Sequence, residues 1–143
     1  MPTGFTTPVA AKLTGDSVKT LENWALRNFL KPSIVARPGH GMWRVYSFRD
    51  LIAIRVADDL RRRGIEVRNL RRVVTYLRAR KGLELTATDV LANSVLITDG
   101  QDVYELDGER GLQISTLRHP DQSVLVVPLG RLVGRLRADA LAA

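Results

Sequence analysis

No cysteine occurs among the 143 residues. Disulfides, thiolate metal sites and thiol catalysis are therefore excluded, and cysteine usage gives no reading of the redox compartment. Histidine is scarce too. His40 and His119 both fall in turn-like sequence, with no ligand spacing or catalytic motif around them. No apolar run reaches the ~18 residues of a membrane span, so no membrane partner is expected. The opening MPTGFTTPVA lacks a charged segment followed by an apolar one, so no signal peptide is expected and a cytoplasmic location is the expectation. No Gly-rich phosphate loop is present. Asp99, Asp102, Asp107 and Asp121 have the spacing of turn residues, not of a catalytic or calcium-binding group. The expectation is a protein that is not an enzyme and needs no cofactor and no metal.

What the chain does have is basic charge, unevenly placed. The composition, 45% apolar and 26% charged, is that of a folded soluble domain or two small ones. The net charge of +7 divides sharply. Residues 1–82 carry 17 Lys and Arg against 6 Asp and Glu, and residues 83–143 carry 5 against 9. One half suits a polyanion and the other does not.

The basic half is organised around residues 11–46. Thr7 followed by Pro8 reads as a cap with proline at the first helical position, opening a short helix over 8–13. Gly15 breaks it. Asp16 or Ser17 caps a second helix running to about residue 28, where Pro32 stops it. Val18, Leu21 and Ala25 recur at helical spacing as its buried stripe, with Trp24 beside them. Its opposite face presents Lys19, Thr20, Asn23 and Arg27, which can donate to phosphates and bond base edges, or can be plain solvated surface. Residues 34–37 and 42–46 alternate as two short strands about the turn Pro38-Gly39-His40-Gly41. Arg37, His40 and Arg44 sit on or near the hairpin tip, with His40 open between a contact residue and a loop histidine. Trp43 and Tyr46 are expected to anchor the hairpin in the core. Two angled helices with a basic ribbon beside them form a device for reading a DNA major groove.

Ser47-Phe48-Arg49-Asp50 has the spacing of a capping box, and Leu51, Ile52, Val56 and Leu60 carry a helix from there to about residue 63. Gly64 ends it. Leu70, Val73, Val74 and Leu77 mark another helix, from 67 to near Gly82. Around the intervening turn, Arg62, Arg63 and Arg68 are expected to form a second phosphate grip. Residues 83–93 read as a linker. Strands are expected at 95–98, 103–106, 112–117 and 124–127, joined by hairpin turns into an antiparallel meander. Leu129, Leu132, Val133 and Leu136 mark a closing helix. The space between this sheet and helix is either filled core or a pocket for a small effector. Such a small sheet is marginal alone and should pack on the first half or on a second subunit.

The residues Leu13-Thr14-Gly15, Ser17, Thr20-Leu21, Trp24, Leu30-Lys31-Pro32, Arg44-Val45-Tyr46-Ser47, Asp50-Leu51 and Leu60-Arg61-Arg62-Arg63-Gly64-Ile65 resemble the MerR-type winged-helix domain over about residues 5–80. The resemblance implies an α+β chain: a winged-helix domain at 1–82, with four helices and a hairpin wing, then the linker and a small sheet-plus-helix domain at 94–143. It implies a nucleoid-associated bacterial regulator of transcription that binds double-stranded DNA, as a homodimer on an inverted repeat. Its implied DNA-binding residues are Ser17, Lys19, Thr20, Asn23, Arg27, Arg37, His40, Arg44, Tyr46, Arg62, Arg63 and Arg68. The chain departs from the pattern in three places. Glu22 stands where the family usually has arginine, so base preference is not carried over. The wing Gly41-Met42-Trp43-Arg44 is one residue longer. Residues 83–143 offer no coiled-coil heptads, so neither metal or mercury sensing nor activation by DNA untwisting is expected. The second half also resembles the middle region of MerR-headed antitoxins, through residues 98–104 and Val126-Val127-Pro128-Leu129-Gly130. That resemblance implies, as the alternative, an antitoxin that binds a toxin through residues 94–143 and autoregulates its operon.

Overall fold

The computed structural model describes residues 4–36, 43–79, 94–98, 103–107 and 125–142. Helix α1 (Thr7–Thr14) carries Pro8 in its first turn. The cap is Thr6, one residue earlier than expected, and its side chain makes no capping bond. Gly15 ends the helix in the left-handed region at φ 76°, with its N–H bonded to the Ala11 carbonyl. Ser17 then caps α2 (Val18–Leu26), its Oγ accepting from the Thr20 N–H at 3.0 Å.

Helix α2 is shorter than the sequence suggests. Asn28 takes the left-handed conformation at φ 59°, a cost asparagine tolerates, and turns the chain before Pro32 is reached. The buried stripe also differs. Leu21 and Trp24 are buried, whereas Val18 is 37% exposed. The aromatic takes the core position because Phe29 meets it edge to face, with centroids 5.1 Å apart.

Strands β1 (Ile34–Ala36) and β2 (Trp43–Val45) pair antiparallel, with Val35 opposite Arg44. The expected hairpin tip, with Arg37, His40 and Gly41, lies outside the described residues. The far end of β2 is tied to the N-terminus. Phe5 and Tyr46 exchange two backbone hydrogen bonds of 2.8 Å each. Gly4 makes this approach possible, since a Cβ there would stand 2.6 Å from Val45 Cγ2.

Helix α3 (Phe48–Arg62) opens with the full capping box expected of Ser47 and Asp50. Leu51, Ile52, Ala53, Ile54, Val56, Ala57 and Leu60 are all fully buried, so the helix is covered on nearly every side. Gly64, at φ 101°, makes the turn into α4 (Val67–Ala79), which buries Leu70, Val73, Val74 and Leu77.

In the second half, β3 (Ser94–Thr98) is central, with β4 (Val103–Asp107) and β5 (Leu125–Val127) antiparallel on either side. The expected meander therefore gives way to a closed-back order, in which the late strand returns beside the first. The expected strand at 112–117 and the linker at 83–93 lie outside the described residues. Helix α5 (Leu129–Ala142) closes the chain as expected. Leu96, Val127, Leu129, Val133 and Leu136 join the same buried cluster as the α3 residues. Side chains also cross between the halves. Tyr76 Oη donates to Glu105 Oε1 at 2.7 Å, and Arg63 Nη1 donates to the Val126 carbonyl at 2.8 Å. The architecture is α+β, with an N-terminal helix-turn-helix and winged portion. Among the described residues no helix is long and apolar enough to cross a membrane.

Candidate nucleic-acid interface

A groove of about 750 Å3 runs between α2 and the α3–α4 corner. One wall is the polar face of α2, with Lys19, Thr20, Asn23 and Arg27. The other carries Arg61, Arg68 and Arg71. Trp24 and Phe29 lie at its base. The Arg61 guanidinium lies over the Trp24 ring at 5.9 Å, and that of Arg71 over Phe29 at 5.8 Å. Arginine stacks on aromatic faces while its edge donors stay available to an acceptor. Glu22, Leu26 and Val67 complete the lining, and Leu26 is 86% exposed.

Buried acids fix the frame of the groove. Asp58 is 1% exposed and pairs with two arginines, Arg61 at 2.6 Å and Arg62 at 2.9 Å. The Asp58 hydrogen bond raises the Arg61 pKa further above its ordinary value, and the guanidinium stays charged. Arg62 also donates to the Gly15 carbonyl at 3.1 Å, so this corner is tied to the α1–α2 turn. Asp50 does the same for the wing. Its Oδ2 accepts from the Ser33 N–H, the Ser33 hydroxyl and the Ser47 N–H at 2.6–2.9 Å. Arg78 reaches its other oxygen at 3.4 Å. Asp16, in the α1–α2 turn, is the least settled of these groups. Its Oδ1 accepts from the Ser17 N–H, while Oδ2 is buried without a hydrogen-bond partner. Burial, and then the nearby Asp58 charge, raise its pKa.

The residues expected to contact DNA are thus partly brought together. Lys19, Thr20, Asn23, Arg27 and Arg68 share the groove, with Ser17 exposed at the start of α2. Arg37 and His40 lie outside the described residues, and Arg44 is placed by its backbone in the middle of β2. Tyr46 is 1% exposed and serves the core, so it leaves the contact surface and keeps only the anchoring role. The expected cluster of Arg62, Arg63 and Arg68 does not form. Arg68 faces the groove and Arg62 the α1–α2 turn. Arg63 turns toward the second half, pairing with Asp59 at 2.9 Å. Consecutive helical positions are about 100° apart, so Arg62 and Arg63 at the end of α3 point different ways, and Arg68 stands on the next helix. That same periodicity points to Arg61 and Arg71, which sequence reading left out of the site.

Residues 5–77 match the family model described as MerR HTH family regulatory protein. The chain belongs to this family. It is also similar to uncharacterised HTH-type transcriptional regulators of Mycobacterium bovis and Mycobacterium tuberculosis, at 34% identity over 102 residues. The match covers 71% of this chain and 43% of each relative, so the chain aligns with less than half of their length.

Proposed function

We propose that this MerR-family chain is a transcriptional regulator that binds duplex DNA, with α2 in the major groove and the α3–α4 corner on the adjacent phosphates. The supporting observation is the groove itself. It sets five cations (Lys19, Arg27, Arg61, Arg68 and Arg71) beside the base-reading types Thr20 and Asn23, with Glu22 the one carboxylate of its lining; Arg61 and Arg68 are also paired with Asp58 and Glu66 outside that lining, each at 2.6 Å. The relatives' descriptions as HTH-type transcriptional regulators point the same way. On this reading the protein acts in the cytoplasm as a homodimer on an inverted repeat, with half-sites about 34–36 Å apart or a multiple of that.

The test is a gel shift with the DNA upstream of the protein's own gene, followed by footprinting. Retardation at low salt and two protected half-sites one helical turn apart, or a whole number of turns apart, are expected. No retardation at low salt would remove the reading, and a single asymmetric footprint would remove the dimer.

A further inference from the structure

A second cleft, of about 210 Å3, lies on another face, between α1, α3, β5 and α5. Its apolar lining is Leu13, Val127, Pro128, Leu132 and Leu136. Its polar lining is lopsided: Arg55, Arg63, Arg131 and Arg135 against Asp59 and Asp139. Asp59 is already paired with Arg63, and Arg63 spends a second donor on the Val126 carbonyl. Arg55 likewise donates to the Thr14 carbonyl at 2.9 Å, which leaves Arg131 and Arg135 with Asp139, one turn beyond Arg135, as the one remaining carboxylate of the lining. Arg131 and Arg135 stand four apart on α5, one helical turn, where like charges repel. An anion between them would turn that cost into two charge-assisted contacts. The first turn of α5, beside Arg131, holds no acidic residue, so the helix dipole adds to the same sign.

We infer that this cleft binds a small organic carboxylate, its carboxylate on Arg131 and Arg135 and a compact apolar body against Leu132 and Leu136. The size limits the body. The volume exceeds the ~150 Å3 that encloses a benzene ring and falls short of the ~300 Å3 of a drug-sized site. A ligand of benzoate dimensions fits. A bare inorganic anion would leave the apolar wall wet, and a neutral ring would leave the arginines facing each other.

The test titrates the full chain, without DNA, with benzoate, benzyl alcohol and inorganic phosphate by calorimetry. The variants are the double substitution Arg131→Ala with Arg135→Ala, and a charge-matched control at the α2 groove, Lys19→Ala with Arg27→Ala. All four positions are exposed, and alanine is a strong helix former, so the variants are expected to fold. Saturable benzoate binding is expected, weakened about tenfold or more by the α5 pair and unchanged by the control. Benzyl alcohol and phosphate are each expected to bind at least about tenfold more weakly than benzoate. Absence of saturable benzoate binding would overturn the inference. So would equal loss in both double variants, or phosphate or benzyl alcohol binding as tightly as benzoate. None of these outcomes depends on the DNA-binding reading.

Discussion

Asp16, Asp50 and Asp58 are three carboxylates with different amounts of compensation. Asp50 is fully supplied with donors, and Asp58 holds two arginines. Asp50→Ala would leave the Ser33 and Ser47 amides and Arg78 without that acceptor. A loss of about 3–5 kcal/mol in chemical denaturation is expected, and an unchanged midpoint would contradict it. Asp16 is the opposite case. Its folded pKa lies above the ordinary 3.8, so the unfolded chain ionises first as pH rises. Stability therefore falls between pH 3.8 and the folded pKa, and the deficit is constant above it. Asp16→Asn keeps an oxygen for the Ser17 N–H and offers Asp58 a donor. It should raise Tm at pH 7, with the gain shrinking toward pH 4. A Tm lowered at pH 7, or a gain independent of pH, would refute this.

At the scale of elements, the wing depends on a short N-terminal segment. Gly4→Val would force a side chain against Val45 and break the approach of Phe5 to Tyr46. Overpacking of this kind costs about 1–3 kcal/mol. Faster amide exchange at Phe5 and Tyr46 is expected, and unchanged protection of both would contradict it. The helices of the first half were legible because their signals are local. Ser17, Ser47-x-x-Asp50, Gly15 and Gly64 act on the backbone within a turn of themselves. Other features were not legible, because they depend on partners distant in sequence. Trp24 displaces Val18 from the buried stripe by packing on Phe29. Asn28 stops α2 through a backbone conformation that its residue type only permits. Strand order in the second half depends on which edge of β3 the late strand reaches, and hairpin spacing alone does not encode that. Of the candidate site, the α2 face was readable from its own periodicity. The facing wall was not, because choosing Arg61 and Arg71 over Arg62 and Arg63 requires the phase of α3 and α4 around the core.

Across the whole molecule, α3 is the shared interior of both halves. Leu129, Val133 and Leu136 from α5 lie in the same cluster as Leu51 and Leu60. Leu129→Ala should therefore destabilise the protein by about 2–5 kcal/mol and lower a single transition seen by both tryptophan fluorescence and far-UV signals. Two separated transitions would contradict the common core. The central claim is that the two walls of the α2 groove act as one DNA surface. The most direct measurement is the salt dependence of DNA affinity for three proteins: the unaltered chain, Arg68→Ala with Arg71→Ala, and Arg63→Ala. Each lost phosphate contact should flatten the slope of log K against log salt by about 0.9, so the double variant should lose about 1.8 while Arg63→Ala keeps the parent slope. A double variant with the parent slope, or an Arg63→Ala slope flattened as much as that of the double variant, would contradict the account.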